Sequence, residues 1–296
     1  STFKSVSILV ALDDGVVDIT EIVDTGTGVY MMHGSPMKDH NWYRGGYQKI
    51  SLPRILGVSS NIGVSRIIDE KYANNPTKFV EGLYRIGIGE PLDLEIPGYQ
   101  PPIIRYPNKQ NWWKTTLAWM SIGYETQIAP INTLAFYNAI ANNGRMVKPR
   151  FVKAIMRDGE VIEEFPVEVL KESICSSSAL KKMQDMLEGV VSKGLGKQAG
   201  SKQFHVSGKT GTAQVAQGAG GYKSGAMQYL VSFCGYFPSE NPQYSCIVAI
   251  RKPGYPASGG GMAGPVFSRI AERVMAGSLQ RNLTEAIDSN TIVIPD

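Results

Sequence analysis

Val206-Ser207-Gly208-Lys209-Thr210-Gly211-Thr212-Ala213-Gln214 starts with residues that favour a β-strand and then places two glycines, a lysine and two threonines in five consecutive positions. Glycine weakens a strand interior unless another group must approach that backbone closely. A strand would point Thr210 and Thr212 to the same side, and together with Lys209 they would make a receptor for an anionic group such as a carboxylate. Taken alone, the stretch fits an ordinary edge strand with one solvated lysine equally well.

The composition is that of a globular protein. The 296 residues are 43% hydrophobic and 19% charged, which suits one large domain or two smaller ones. The net charge of +4 is mild and has no long basic run, so nothing points to nucleic acid. No apolar stretch approaches the length of a membrane-spanning helix. Three cysteines cannot form a disulfide framework and the three histidines lack metal-ligand spacing, so we predict neither a metal nor another cofactor.

Hydrophobic periodicity predicts a helical first half followed by an antiparallel β-sheet with flanking helices, which is the α+β pattern. Glycine-rich turns between residues 13 and 50, and five prolines between 91 and 107, predict irregular structure there. The predicted helices are 1–11, 51–58, 62–72, 76–89, 131–142, 178–191 and 265–276, and the predicted strands are a hairpin over 150–165 and strands at 206–214, 228–237 and 243–251.

The same pattern suggests how the chain is divided. We interpret residues 1–277 as one domain with two parts, a mostly helical subdomain and a sheet subdomain that includes the first helix. The helical part covers about 1–147 and the sheet part about 148–277. Residues 278–296 are interpreted as a C-terminal tail or linker.

Ser1 and Lys4 stand three residues apart on the first predicted helix, so their side chains would be neighbours about 5–6 Å apart on one face. A nucleophilic hydroxyl needs a partner that takes its proton, and a lysine does so only when it is neutral. A free lysine is neutral at pH 7 in about one molecule in 2,500. A base role for Lys4 therefore requires a lowered pKa, through burial or through a second cation such as Lys209.

Ser59 and Asn61 lie at the joint between two predicted helices. Residues two apart do not face each other on a helix, but at a joint both can point into a cleft. A hydroxyl there can relay a proton, and an amide can hold the backbone of a substrate. Judged alone, Ser59-Ser60-Asn61 also fits a cap of the helix that follows.

Two further matches show how little each motif proves separately. Ser178 and Lys181 also fit Ser-x-x-Lys, and Ser239 and Asn241 also fit Ser-x-Asn. The first pair opens a predicted exposed helix and the second lies in a predicted hairpin turn. Because only the three motifs described above follow one consistent order, we predict that these two are decoys.

Together, Ser1-Thr2-Phe3-Lys4, Ser59-Ser60-Asn61 and Lys209-Thr210-Gly211 resemble the S-x-x-K, S-x-N and K-T-G signature of penicillin-binding proteins and serine β-lactamases. The likeness covers roughly residues 1–277 and is specifically to the transpeptidase domain of class B penicillin-binding proteins. The serine in the middle of the second motif, Ser60, makes the motif resemble that of the division-type branch of this family. Further similar segments are Ala-Asn-Asn-Gly followed by Lys-Pro, Gly-Tyr-Phe-Pro with Asn-Pro-Gln-Tyr, and Pro-Val-Phe-Ser-Arg-Ile-Ala-Glu.

The resemblance implies a catalytic role for each motif. Ser1 would attack the D-Ala-D-Ala carbonyl of a peptidoglycan stem peptide, with Lys4 as its base, and an acyl-enzyme would form as the terminal D-alanine leaves. Ser59, Asn61 and Lys209 would handle the proton of the leaving amine and hold the donor peptide. An amine from a second stem peptide would then take the acyl group and complete a cross-link.

The resemblance also implies how the substrate is bound. Thr210 and Thr212, on either side of Gly211, would bind the terminal carboxylate. The backbone N–H groups of Ser1 and Thr212 would form an oxyanion hole, which is typically worth about 3–4 kcal/mol per donor. A β-lactam antibiotic would imitate the dipeptide and stay attached to Ser1.

The family works on the outer, periplasmic face of the bacterial cytoplasmic membrane, so the resemblance implies an N-terminal anchor and partners such as a glycosyltransferase and other wall-assembly proteins. Family members have residues before S-x-x-K that supply a helix and strands, whereas Ser1 comes first here. We therefore expect these N-terminal strands to be missing, the strand at 243–251 to lack a neighbour, and the chain to be a fragment.

Other interpretations remain open. A β-lactamase hydrolyses its acyl-enzyme, which class A enzymes do with a glutamate, and no Glu-x-x-Leu-Asn occurs in this sequence. A β-lactam sensor or a D,D-carboxypeptidase would share the fold. An N-terminal nucleophile hydrolase would use the α-amine of Ser1 as its base and leave Ser59, Asn61 and Lys209 without roles. A non-catalytic wall-assembly scaffold is the remaining alternative.

Overall fold

The structure is a computed structural model that describes residues 1–215, 228–251 and 254–289, with side chains described as far as residue 282. In this part of the chain, none of the helices combines the length and apolar character needed to cross a membrane. The helices are α1 (Phe3–Asp13), α2 (Leu52–Gly57), α3 (Asn61–Tyr72), α4 (Pro76–Arg85), α5 (Thr116–Ser121), α6 (Pro130–Ala141), α7 (Ser177–Ser192) and α8 (Gly264–Ser289).

The strands form one three-stranded sheet and several two-stranded ladders, all antiparallel. The three-stranded sheet has the order β11-β12-β13, so that β11 is an edge strand. The strands are β1 (Ile22–Asp24), β2 (Val29–Met32), β3 (Ser35–Lys38), β4 (Lys49–Ser51), β5 (Ile103–Ile104), β6 (Thr126–Gln127), β7 (Met146–Val147), β8 (Ala154–Arg157), β9 (Glu160–Glu164), β10 (Val169–Lys171), β11 (Ser207–Val215), β12 (Gln228–Phe237) and β13 (Tyr244–Arg251).

Strand β12 divides two hydrophobic cores because its side chains alternate between the faces of the sheet. Phe233 and Phe237 point to one face, where both rings pack against Phe267 of α8. Cys234 and Tyr236 point to the other face and join the larger core built mainly from helices. The register pairs Lys209 with Cys234, so Lys209 leaves β11 on the helical side of the sheet.

Helix α1 lies at the centre of the larger core. Every residue from Phe3 to Leu12 is buried, although the segment includes Lys4 and two serines. A helix that is covered on all sides cannot slide or rotate without losing packing. Ser1 and Thr2 at its N-terminal end are therefore held in a defined position beside β11.

Most predicted helices and strands are confirmed, including the hairpin that turns at Asp158 and Gly159, both of which have positive φ. The prediction of irregular structure over 13–50 is wrong, because two short antiparallel ladders, β1–β4 and β2–β3, form there. The proline-rich segment also contains β5, which pairs with β6. These strands are two to four residues long, too short to produce a detectable period.

The C-terminal prediction needs a correction. Helix α8 does not end near residue 276 but continues through Ser289, so the predicted tail is helical as far as the structure describes it. Residues 290–295, which were interpreted as part of a linker, lie outside the described residues. In the described part of the chain β13 pairs with β12 alone.

Gly208 marks a close approach between β11 and β12. A Cβ atom built there lies 2.6 Å from the carbonyl oxygen of Cys234 and 2.7 Å from the ring of Phe233. We expect Gly208→Ala to lower the free energy of unfolding by about 1–3 kcal/mol, because the backbone must move to relieve this overlap. Urea unfolding monitored by circular dichroism would measure the change.

Gly189→Ala is the matched control for this prediction. Gly189 lies inside α7 with nothing within 4 Å of the added Cβ, so alanine should raise the free energy of unfolding by about 0.5–1 kcal/mol. Equal effects of the two substitutions would contradict the packing argument for Gly208.

Candidate active site

The first turn of α1 brings a serine and a buried lysine together. The Nζ atom of Lys4 lies 3.2 Å from the Oγ atom of Ser1, and only 1% of Lys4 is exposed. The spacing of three residues predicted this contact, because such residues share one face of a helix. The structure also shows that Lys4 is buried, which the helical spacing alone does not indicate.

Ser59 connects two parts of the site at the joint between α2 and α3. Its carbonyl oxygen and Oγ atom accept hydrogen bonds from Nζ of Lys4 at 2.7 and 3.0 Å. Its Oγ atom also lies 2.8 Å from Nζ of Lys209. Ser59 has a φ of 56°, which is uncommon for a residue other than glycine and is often found at functional sites.

Lys209 reaches this joint from the edge of the sheet. It is fully buried, and its Nζ atom also donates to the carbonyl oxygen of Thr210 at 3.2 Å and to Oγ1 of Thr210 at 3.4 Å. The hydroxyl of Ser59 thus lies between two lysine side chains from segments 55 and 150 residues away. The structure therefore brings Ser1, Lys4, Ser59 and Lys209 into one connected cluster.

Burial changes the proton affinity of both lysines. It lowers the pKa of Lys4 to about 7, even though the carboxylate of Asp39 acts in the opposite direction. Burial also lowers the pKa of Lys209 well below its ordinary value, and the positive charge of Lys4 lowers it further. At neutral pH a substantial fraction of Lys4 is therefore the free amine, which lies beside Ser1.

Asn61 and the threonines occupy the rim of the cluster. Asn61 donates its side-chain N–H to the carbonyl oxygen of Lys38 at 2.8 Å, which fixes its amide in the cleft. Thr210 and Thr212 leave β11 on the face opposite Lys209, as alternation requires. The Oγ1 atom of Thr212 accepts from the backbone N–H of Gly259 at 3.0 Å and keeps its own proton to donate.

The glycine of the third motif has a structural explanation that the sequence did not reveal. A Cβ atom at Gly211 would lie 2.3 Å from Oγ of Ser232 and 3.2 Å from Cγ2 of Thr2. The close approach predicted for this backbone therefore involves neighbouring side chains of the chain itself. It lets β11 pack directly against the residue that follows Ser1.

The free edge of β11 presents backbone donors to the cleft. The N–H of Gln214 donates to the hydroxyl of Tyr124 at 3.3 Å, away from β12. Alternate N–H groups of a strand point the same way, so the N–H of Thr212 also faces the cleft. Cavities of about 1010 and 550 Å³ are both lined by Tyr124, the first together with Asn61 and the second together with Ser1.

The two predicted decoys lie away from this cluster. Lys181 forms an exposed ion pair with Asp185, four residues further along α7. Ser239 shares a hydrogen bond with Ser207. Neither contact joins the lysines at the joint between α2 and α3.

The sequence motifs did not identify Asp39 and His40 as residues near the site. Asp39 is 1% exposed and accepts a hydrogen bond from Oγ of Ser60 at 2.7 Å. The side chain of His40 contacts the hydroxyl of Tyr47, and burial lowers its pKa. Both residues lie in a segment without hydrophobic periodicity. Asp39 is 21 residues before Ser60, and no local sequence signal connects it with Ser59-Ser60-Asn61.

Comparisons with known proteins agree with this arrangement. A family model described as "Penicillin binding protein transpeptidase domain" matches residues 1–272. The penicillin-binding protein PbpB of Mycolicibacterium smegmatis is 27% identical over 92% of this chain and 42% of its own length. The peptidoglycan D,D-transpeptidase FtsI of Escherichia coli K12 is 27% identical over 93% of this chain and 43% of its own length. The chain thus spans less than half of these two relatives.

Solved structures show the same likeness. The transpeptidase domain of Burkholderia pseudomallei penicillin-binding protein 3 superposes with a TM-score of 0.76 at 27% identity, covering 93% of this chain and 78% of that one. Penicillin-binding protein 3 of Mycobacterium tuberculosis, in complex with aztreonam, gives a TM-score of 0.78 at 25% identity, covering 94% and 62%. The α+β architecture predicted from the sequence is confirmed by these neighbours.

Proposed function

The chain belongs to the penicillin-binding protein transpeptidase domain family, and from this we propose that it is the catalytic part of a division-type serine D,D-transpeptidase that cross-links peptidoglycan stem peptides. The observation that carries the proposal is the connected cluster of Ser1, Lys4, Ser59 and Lys209. It combines a nucleophile, a base with a lowered pKa and a hydroxyl that can relay protons.

Acylation of Ser1 is the first step that this cluster supports. Neutral Lys4 takes the proton of the Ser1 hydroxyl as Oγ attacks the carbonyl carbon of the D-Ala-D-Ala bond. The backbone N–H groups of Ser1 and Thr212 stabilise the oxyanion of the tetrahedral intermediate. The C–N bond then breaks, the leaving amine receives a proton through the hydroxyl of Ser59, and D-alanine departs.

The second step transfers the acyl group. The amine of another stem peptide attacks the ester carbonyl, gives up a proton to the lysine–serine relay and releases Ser1. If water attacks instead, the product is a shortened peptide, which is the carboxypeptidase reaction. Transpeptidation therefore depends on slow attack by water on the acyl-enzyme.

Substrate binding uses groups around the nucleophile. The hydroxyls of Thr210 and Thr212 bind the terminal carboxylate of the donor, with the charge of Lys209 close to Thr210. Asn61 holds the donor backbone. β-Lactams acylate Ser1 in place of the dipeptide, an inference supported by the aztreonam complex of the Mycobacterium tuberculosis relative.

The cellular setting belongs to the same proposal. Peptidoglycan lies outside the cytoplasmic membrane, so we place the domain at the periplasmic face, held there by an anchor segment and working beside a glycosyltransferase. Within the chain, we assign the transpeptidase domain to residues 1–277, with the helical and sheet parts meeting at about 147.

The decisive experiment is intact-mass measurement after incubation with benzylpenicillin. We expect a single adduct with the added mass of the whole antibiotic, because opening the β-lactam ring expels no fragment, and we expect peptide mapping to locate it at Ser1. Heat-denatured protein serves as the control, since the adduct requires the folded cluster. Absence of an adduct would support a scaffold, and loss of the adduct within minutes would support a β-lactamase.

A further inference from the structure

Asp39 is a buried acid at the entrance to α3. Its Oδ2 atom accepts from the hydroxyl of Ser60 at 2.7 Å, and its Oδ1 atom accepts from the backbone N–H groups of Asn61 at 2.6 Å and Ile62 at 3.1 Å. Both carboxylate oxygens of Asp39 therefore have hydrogen-bond partners at the start of α3. The N-terminus of α3 further favours the negative charge.

These contacts connect Asp39 to the joint that carries Ser59. The two residues that follow Ser59 are both bound by the Asp39 carboxylate, which comes from the segment after β3. Ser59 itself has a positive φ and contacts both lysines. Asp39 therefore lies within the same buried unit as the cluster and acts electrostatically on Lys4.

The charges around Lys4 are unbalanced without this carboxylate. Lys4 and Lys209 are two potential cations in contact with one hydroxyl, and both lysine side chains are buried. Of the charged groups that the structure describes around them, Asp39 is the acidic one. The charged and titratable groups that influence one another here are Lys4 on α1, Lys209 on β11, Asp39, His40, Arg44 and Tyr47 between β3 and β4, and Arg54 on α2.

We propose that Asp39 is a positioning residue that acts through Lys4: its carboxylate holds the joint that carries Ser59 and supplies a negative charge within the buried unit that contains the two lysines. This inference rests on the proposed serine acylation. It assigns Asp39 a role beyond capping α3.

The sign of the effect follows from the charge. The Asp39 carboxylate stabilises protonated Lys4, so its removal should lower the pKa of Lys4 below about 7. Acylation requires neutral Lys4 and therefore falls as pH drops through this pKa. Without the carboxylate, the free amine should persist to lower pH, and it should be a weaker base.

The test compares the pH profile of acylation in Asp39→Asn and Ser60→Ala. Asp39→Asn removes the charge, whereas Ser60→Ala removes one hydrogen bond of the same carboxylate and leaves the charge. The second-order rate of acylation by a fluorescent penicillin would be measured from pH 5 to 9 in the same chain. We expect the acid limb of Asp39→Asn to move down by about one pH unit, with a lower plateau, and the acid limb of Ser60→Ala to stay in place.

The outcomes separate this inference from the proposed function. If the unsubstituted protein is not acylated, the proposed function fails. If it is acylated but the acid limbs of both variants match it, Asp39 is a helix cap only and the inference is overturned. Asp39→Ser is a second variant without the negative charge, and its hydroxyl can still accept hydrogen bonds from the backbone N–H groups of α3. If neither Asp39→Asn nor Asp39→Ser folds while Ser60→Ala does, the carboxylate is needed for folding and the inference is also overturned.

Discussion

Ser1→Ala is expected to abolish the penicillin adduct and to lower D,D-transpeptidase turnover by roughly 10⁶-fold. The substitution removes the atom that forms the acyl bond. Among the described residues, the other side-chain hydroxyl that contacts Lys4 is that of Ser59, which lies between two lysines and relays protons. Lys4 keeps both of its hydrogen bonds to Ser59. The fold should therefore be retained, as a melting temperature would show.

Ser178→Ala is the matched control, because Ser178 belongs to the Ser-x-x-Lys sequence at the start of α7. Its partner Lys181 is exposed and paired with Asp185, so acylation should be unchanged. Mass spectrometry of both variants after penicillin treatment provides the comparison. An adduct that survives in Ser1→Ala, or one that disappears in Ser178→Ala, would contradict the assignment of the nucleophile.

Lys4→Met is expected to lower the rate of acylation by about 10³-fold while leaving the protein at least as stable as before. Methionine fills most of the space of the lysine stem but cannot take a proton. Burying the Lys4 ammonium costs solvation, so its removal should not lower the free energy of unfolding. Stopped-flow measurement with a chromogenic cephalosporin and urea unfolding would test the two effects separately.

The pH dependence of stability provides an independent check on Lys4. Its pKa is about 7 in the folded protein and about 10.4 in an unfolded chain, so the unfolded state binds more protons between these values. The protein should gain stability as pH rises through this window. The advantage of Lys4→Met over the unsubstituted protein should therefore be largest below pH 7 and shrink towards pH 10.

Lys4→Arg distinguishes a base from a positive charge. Arginine stays protonated at any pH used here, so a requirement for charge alone would leave this variant active. We expect it to be as slow as Lys4→Met. An acid limb near pH 7 that persists in either variant would show that another group titrates in the acylation step.

Long, periodic elements and their adjacent motifs were predictable because their signals are local. The helices α1, α3 and α7 and the strands β11–β13 follow from apolar spacing, and Ser1 meets Lys4 because three residues separate them on a helix. The short ladders between residues 22 and 51 were not predictable, since two to four residues carry no period. Helix α5, at Thr116–Ser121, was also missed, since its six residues span less than two helical turns.

The sequence by itself determined the α+β architecture, the three motifs and the family, because these depend on residue types at short spacings. Only the tertiary structure decided that Lys4 and Lys209 are both buried against one serine hydroxyl, which lowers their pKa values. It also decided that the carboxylate of Asp39 accepts a hydrogen bond from the hydroxyl of Ser60. Solvation and charge depend on which distant segments come together, and that follows from packing over the whole chain rather than from any local pattern.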